Sequence, residues 1–378
     1  MKILIAPDKF KGSMRASDVA ARVAAGISSV SPDAEVIAVP VADGGDGTLD
    51  AAVAAGFDLV PVTVGGPTGE PVDSGYARRA ESAVIELADA CGLVRLPGGV
   101  LAPLTASSAG FGQVIAAALD AGCRRLILAI GGSASTDGGA GMLTALGVRV
   151  RDADGADLAP GGGGLEQVAS VDLTQLHPAL AGAEVVLASD VDNPLLGDHG
   201  AAAVYGPQKG ATPDDVARLD GALRAWSSAV ARALNVSEQD SGHPAASTPG
   251  AGAAGGVGFA AIAVLRATAR PGIDLMLELT GLRDDLAGAD LVVTGEGSLD
   301  EQTLHGKAPA GVAAAARTAG VPVVTVSGRN LLSDRQLAAA GIRKAYALTD
   351  IESDVQRCMT DPGPLLESLG RAIASDFN

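Results

Sequence analysis

Apolar and polar positions along this chain follow two different periods, and the changes between them mark its organisation. The run "KILIAP" at 2–7 is short, apolar and closed by proline, and the following "SMRASDVAARVAAGI" spaces its apolar residues as a helix does, behind Ser13 as a cap. "AEVIAVPVADGG" and "TLDAAVAAG" repeat the strand and helix pattern, so the first part predicts a βαβα segment. The same alternation returns late in the chain, in "DLVVTGEG", "GKAPAGVAAAARTAG", "VPVVTVSG", "SDRQLAAAG" and "KAYALTD". Those apolar strands and Ala-rich helices have the composition of buried parallel strands and their crossovers. In between, "FDLVPVTVGGPTGEPVDSGYARRAESAVIELADA" alternates apolar and polar residues around Gly/Pro turns, which predicts hairpins. Glycine-rich connections, among them "LAPGGGGLEQV" and "SGHPAASTPGAGAAGGVG", follow as linkers or shaped binding loops.

The expected architecture is therefore α/β with two domains. Residues 1–64 and 286–378 form a discontinuous, Rossmann-like, doubly wound parallel sheet domain; residues 65–285 form an inserted α/β domain, with an active-site cleft between the two. Length agrees, because 378 residues suffice for two cores. Aromatics are only 2% of the chain, so the cores must be built from Ala, Val, Leu and Ile.

Charge narrows the partners. A formal net charge of −17 argues against nucleic acid or an anionic membrane, both of which require a basic face, and favours a small-molecule partner. Cys91, Cys123 and Cys358 form no CxxC pair and suit a reducing cytoplasm; the apolar run near the amino terminus is too short for a signal peptide, and no run spans a membrane. Self-association is left open.

Five Gly-plus-acid segments recur at predicted strand ends: "PDKFKGS", "VADGGDGT", "IGGSASTDGG", "SDVDNPLLG" and "TGEGSLDEQ". Ligands of open α/β sheets gather there, and glycine lets backbone amides approach a phosphate or carboxylate. Asp43, Asp46, Asp137, Asp190, Asp192, Glu296 and Asp300 are candidates for holding a hard cation such as Mg²⁺, although an aspartate beside glycine also serves as a turn or cap residue. In "SDVDNP" one carboxylate is suited to metal and the other to orienting a hydroxyl nucleophile. Lys11, Lys209 and Lys307 are each followed by a small residue that leaves room for a ligand.

Familiar nucleotide signatures fail. "GSLDEQTLHGKA" has Glu301 and Ala308 where a Walker A loop needs Gly and Ser/Thr, and "GEGSLD" lacks the third glycine of a dinucleotide fingerprint. His177, His199, His243 and His305 have no metal-ligand spacing, and no GxSxG is present.

In order, "APDKFKGSMRA", "PVADGGDGT", "GGSASTDGGAGML", "SDVDNPLLGDHGAAAVYGPQKGA", "GAGAAGGVGFA" and "VVTGEGSLDEQTLHGKAPAGVA" resemble class I glycerate kinases. The resemblance implies phosphorylation of D-glycerate by ATP with Mg²⁺, usually to 2-phosphoglycerate, on a two-domain α/β fold without a Walker A loop. It also implies site roles. Asp190 orients or deprotonates the glycerate hydroxyl, with Lys11 as a second catalytic residue facing the carboxylate or the transferring phosphate. Asp43, Gly44, Gly45, Ser133 and Asp137 bind glycerate; Gly131, Gly132, Gly295, Glu296, Gly297 and Lys307 bind ATP phosphates; Asp192 and Asp300 bind metal. Thr136 stands where the family often has Asn, so any contact made through that amide is absent. The alternatives are a dinucleotide-dependent hydroxy-acid reductase, which the missing GxGxxG opposes, and a sugar-acid binding protein without chemistry.

Overall fold

The computed structural model describes residues 1–237, 242–304 and 306–377; His305 of the sequence reading lies outside them. In chain order the strands are β1 Lys2–Pro7, β2 Glu35–Ala38, β3 Asp58–Gly65, β4 Pro71–Arg79, β5 Ser82–Glu86, β6 Arg125–Ala129, β7 Arg149–Arg151, β8 Ser170–Asp172, β9 Glu184–Ala188, β10 Thr268–Arg270, β11 Leu291–Leu299, β12 Val323–Asn330 and β13 Ile342–Ala347. The chain divides into two compact units. One comprises Met1–Asp43, Asp50–Gly56 and Pro271–Asn378; the other comprises Gly44–Leu49 and Phe57–Arg270.

The unit that holds both chain ends carries one five-stranded sheet of order β13-β12-β11-β1-β2, parallel throughout. Side chains alternate across it, as the period of two requires. Ile3, Ile5, Leu291 and Val293 share a core with Val19, Val23 and Ile27 of the helix Ala16–Val30 and with Leu366, Leu369 and Ile373 of the helix Pro362–Phe377. Leu4, Ala6 and Val292 share the other with Ile273 and Leu277 of the helix Gly272–Leu279 and Val312 and Ala316 of the helix Ala308–Thr318. Two faces covered by helices make the sheet doubly wound, as the near-continuous apolar strands predict.

The other unit is built on a mixed sheet of order β10-β9-β6-β5-β4-β3. β10, β9, β6 and β5 are parallel, while β3–β4 and β4–β5 are the antiparallel hairpins that the alternating segment predicts. Its core includes Phe111, Leu126, Leu128, Leu187, Trp226 and Phe259. β7 and β8 form a separate antiparallel pair. Register matters for function here, because Glu86, Ala129 and Ala188 lie side by side at the carboxyl ends of β5, β6 and β9. The loops that leave this edge begin at one level.

One expectation is corrected by the topology. "TGEG" is not a strand-end loop; it lies inside β11, where Gly295 pairs with Pro7 of β1 and Val326 of β12. A methyl group on Gly295 would sit 1.8 Å from the Val326 carbonyl oxygen, so glycine is required there for strand packing. All three cysteines are buried and free. Among the described residues no helix is long and apolar enough to cross a membrane.

Candidate active site

In the first unit the chemistry collects where β1 and β11 run in register. Pro7 faces Gly295, so the next residues, Asp8 and Glu296, meet at the carboxyl end of the ladder. The Asp8 amide donates to the Gly295 carbonyl at 2.8 Å, and the Lys9 amide donates to Asp8 Oδ1 at 2.7 Å. Asp8 is 8% exposed, and its pKa is pushed up to about 7, first by burial; Lys9 opposes the shift, while the charges of Asp43 and Glu296 add to it. Glu296 is also buried and raised for the same leading reason, with the hydrogen bond from Thr303 Oγ1 at 2.5 Å and the Lys307 charge pulling it back. Lys307 Nζ lies 3.6 Å from Glu296 Oε2 and 4.0 Å from Asp300 Oδ1. Asp300 Oδ1 already accepts from the amides of Gln302 and Thr303, so one oxygen does turn work. Lys11 is exposed, and its backbone runs beside Gly297. Asp43, Glu296, Asp300 and Lys307 are thus brought together around a buried acid, Asp8, which the sequence reading passed over inside "PDKFKGS" in favour of its lysines.

A consequence for pH follows from Asp8. Its folded pKa lies above its ordinary value near 4, so the folded chain holds a proton that the unfolded chain releases between about pH 4 and 7. The protonated form contributes stability below that window, and the contribution is lost as pH rises through about 7. Asp8→Asn keeps the acceptor for the Lys9 amide and removes the titration. Urea unfolding at pH 4.5 and 8 is expected to show the variant gaining on wild type with rising pH, by on the order of a few kcal/mol. A constant difference would show that Asp8 titrates normally.

In the second unit the loop after β6, residues 131–137, lies at the carboxyl edge of the sheet beside the segment Gly44–Leu49. Glu86, at the end of β5, anchors that segment by accepting from the amides of Gly47 at 3.1 Å and Leu49 at 2.9 Å. Gly131 packs against it closely, since a methyl group there would stand 2.6 Å from Gly45 Cα. Gly132 is exposed, whereas Ser133, Ser135, Thr136 and Asp137 are buried. The Ser133 hydroxyl accepts from the Ser135 amide at 3.1 Å, and its one proton has two acceptors in reach, the Ser135 carbonyl at 3.2 Å and the Ala254 carbonyl at 3.3 Å. Thr136 Oγ1 is buried with no partner among the described residues.

Asp137 is 1% exposed, and its carboxylate is occupied by the protein itself. Oδ2 accepts from the amide and hydroxyl of Ser108, each at 2.8 Å, and from the Gly141 amide at 3.2 Å; Oδ1 accepts from the Gly139 amide at 3.1 Å. This arrangement suits an anchor of the turn better than the glycerate contact expected of it. Lys209 also departs from the open setting its small neighbours suggest: it is 2% exposed, and Nζ donates to the Ser135 carbonyl. Burial lowers its pKa to about 7, against the opposing charge of Asp137.

Asp190 is exposed two residues beyond β9, and Asp192 is exposed within the following loop. The Tyr205 hydroxyl donates to Asn193 Oδ1 at 2.6 Å; burial, then the Asp192 charge, raise the Tyr205 pKa. Among the described residues no group of three or more His, Cys, Asp or Glu side chains is arranged to hold a metal ion.

Comparison with known proteins shows the family. The profile of the glycerate kinase family matches residues 3–378. A glycerate kinase of Bacillus subtilis (strain 168) is 41% identical over 380 residues, covering 100% of this chain and 98% of the relative. A glycerate 2-kinase of Escherichia coli (strain K12) is 41% identical over 331 residues, covering 87% of this chain and 85% of the relative. A crystal structure from Salmonella typhimurium LT2, described as a glycerate kinase 2, superimposes with a TM-score of 0.84 at 42% identity, covering 100% of this chain and 98% of that one. The chain belongs to the glycerate kinase family, enzymes that transfer phosphate to an alcohol.

Proposed function

We propose that this chain transfers the γ-phosphate of ATP to a hydroxyl of D-glycerate in the presence of Mg²⁺, with 2-phosphoglycerate as the favoured product, in the cytoplasm. The observation that carries the reading is that, within a member of this family, each unit gathers functional groups of its own: Asp8, Asp43, Glu296 and Lys307 about the carboxyl end of the β1–β11 ladder in one, and the 131–137 turn with Asp190 beyond β6 and β9 in the other. Phosphoryl transfer asks little covalent chemistry of a protein; alignment and charge stabilisation do most of the work.

In this reading Asp190, exposed beyond the end of β9, orients the glycerate hydroxyl or accepts its proton. Lys11 faces the glycerate carboxylate or the transferring phosphate. The amides of Gly131, Gly132 and Ser133 hold phosphate oxygens, and Asp43 with Gly44 and Gly45 shapes the glycerate pocket. Lys307 neutralises phosphate charge, with Glu296 holding its ammonium in place. Gly297 borders the Lys11 backbone; Gly295, inside the sheet, supports that approach. Asp192 in one unit and Asp300 in the other are each a carboxylate that could serve as a Mg²⁺ ligand, and Asp300 Oδ2 accepts no hydrogen bond among the described residues; the ion would supply charge neutralisation on the phosphates. Phosphorus NMR of a reaction with ATP, Mg²⁺ and D-glycerate is expected to show 2-phosphoglycerate. Accumulation of 3-phosphoglycerate would reverse the choice of hydroxyl, and NAD(P)H oxidation with a keto acid would favour the reductase instead.

A further inference from the structure

The second unit carries a buried ammonium that the proposed chemistry does not use. Lys209 ends the short turn Pro207–Lys209 and is 2% exposed, although burying a charge with one carbonyl partner is costly. A methionine of similar length would fill the same space without that cost. Nζ donates to the carbonyl of Ser135, in the middle of the 131–137 turn, and Asp137 is the charged group that faces it.

The surroundings are shaped around this contact. Gly255 lies in a left-handed stretch with Ala254 and Gly256, and a methyl group on it would stand 2.1 Å from the Ser135 carbonyl oxygen, 2.7 Å from Thr136 Cα and 2.9 Å from Lys209 Nζ. Any side chain at 255 would displace either the carbonyl or the amine. The Gly138 amide donates to the Gly255 carbonyl at 2.9 Å, fastening the end of the same turn to the same segment. Thr136, between these two fastenings, contributes no hydrogen bond from its hydroxyl among the described residues, so the turn is held at this point from outside.

We propose that Lys209 is a positioning residue, whose buried amine holds the Ser135 carbonyl and thereby sets the 131–137 backbone in the form that serves phosphoryl transfer. The inference rests on the reading that this turn acts in the reaction. Lys209 itself touches neither substrate nor reacting atoms; it acts through the backbone it fixes. Small displacements of such a backbone are expensive in rate, because aligned amides act only over hydrogen-bond distances.

The pH dependence has a definite sign. With its pKa lowered to about 7, folded Lys209 gives up a proton that the unfolded chain keeps to about pH 10, so wild type gains stability as pH rises through this range. Any advantage of Lys209→Met over wild type should therefore shrink from pH 6 to 9. A lysine with a purely structural role would share that behaviour, and the turnover number separates the two.

The test uses the full chain with Lys209→Met, Lys209→Leu and Lys209→Gln, folding being followed by Trp226, the single tryptophan, buried in this unit. Both apolar variants are expected to fold and to lose kcat by about 10- to 100-fold, with KM for ATP and D-glycerate within about threefold of wild type. Lys209→Gln keeps a donor and should recover part of kcat. Wild-type turnover in Lys209→Met and Lys209→Leu, or a glutamine variant no better than methionine, would overturn the proposal. Failure of both apolar variants to fold would also overturn it, by making the amine a support of the whole unit. A wild-type chain that releases no ADP with D-glycerate would instead remove the kinase reading, and this proposal with it.

Discussion

Asp190→Asn is expected to lower kcat by about 1,000-fold while leaving the protein folded. Asparagine keeps the size and one oxygen of the side chain but cannot accept a proton or carry the charge that orients a hydroxyl. Its exposure limits the cost to the fold. Asp190 is exposed beyond the end of β9, and exposed substitutions away from special backbone features usually cost within about 0.5 kcal/mol. Steady-state kinetics at saturating ATP and D-glycerate, with the Trp226 unfolding transition as control, separate the two effects. If the variant turned over at a near-normal rate, Asp190 would have no catalytic part, and the search would move to Asp192 two residues on.

Asp137→Ala is expected to act on stability first, lowering it by about 3–5 kcal/mol. The carboxylate accepts from the amides of Ser108, Gly139 and Gly141 and from the Ser108 hydroxyl; the contacts to Ser108 and Gly139 are buried and that to Gly141 is half-buried. Alanine leaves three amides without that acceptor, two of them buried, and each buried unsatisfied donor costs about 1–3 kcal/mol before any relaxation. It also removes the charge that faces Lys209. Trp226 gives a direct report, because its indole N–H donates to the Gly138 carbonyl at 3.0 Å, next to the mutated residue. The urea midpoint of the tryptophan signal should fall markedly. A shift worth less than about 1 kcal/mol would mean that Asp137 is not the anchor of the turn, and would return it to the substrate-binding role expected from sequence.

These two aspartates also show what the sequence could reveal. Both follow an apolar run, Asp137 next to Gly138 and Asp190 two residues before Asp192, and composition gives them the same meaning. Periodicity was enough for the α/β class, for the hairpins of β3 to β5 and for the parallel strands at both chain ends, because burial on one or two faces writes itself directly into the spacing of apolar residues. The motif order was enough for the family.

Polar residues were less legible, because a side chain's environment is set by elements distant in sequence. Asp8 is buried at the end of the β1–β11 ladder, where the pairing brings Glu296 near it from a distant part of the chain. Lys209 was read as open to a ligand because small residues follow it, yet Ser135 and Gly255 close over its amine. Gly295 was assigned to a phosphate loop because glycine beside an acid reads alike whether its amide faces solvent or lies between two strands. Glu86 drew no notice in "VIELADA", since nothing local says that its carboxylate meets the amides of Gly47 and Leu49.

Whether this chain phosphorylates D-glycerate is tested most directly by ADP release coupled to NADH oxidation through pyruvate kinase and lactate dehydrogenase. ADP formation is expected to require ATP, Mg²⁺ and D-glycerate together, and to fall by orders of magnitude in Asp190→Asn. ADP release that is independent of D-glycerate, or binding of D-glycerate with no ADP formed, would contradict the kinase reading.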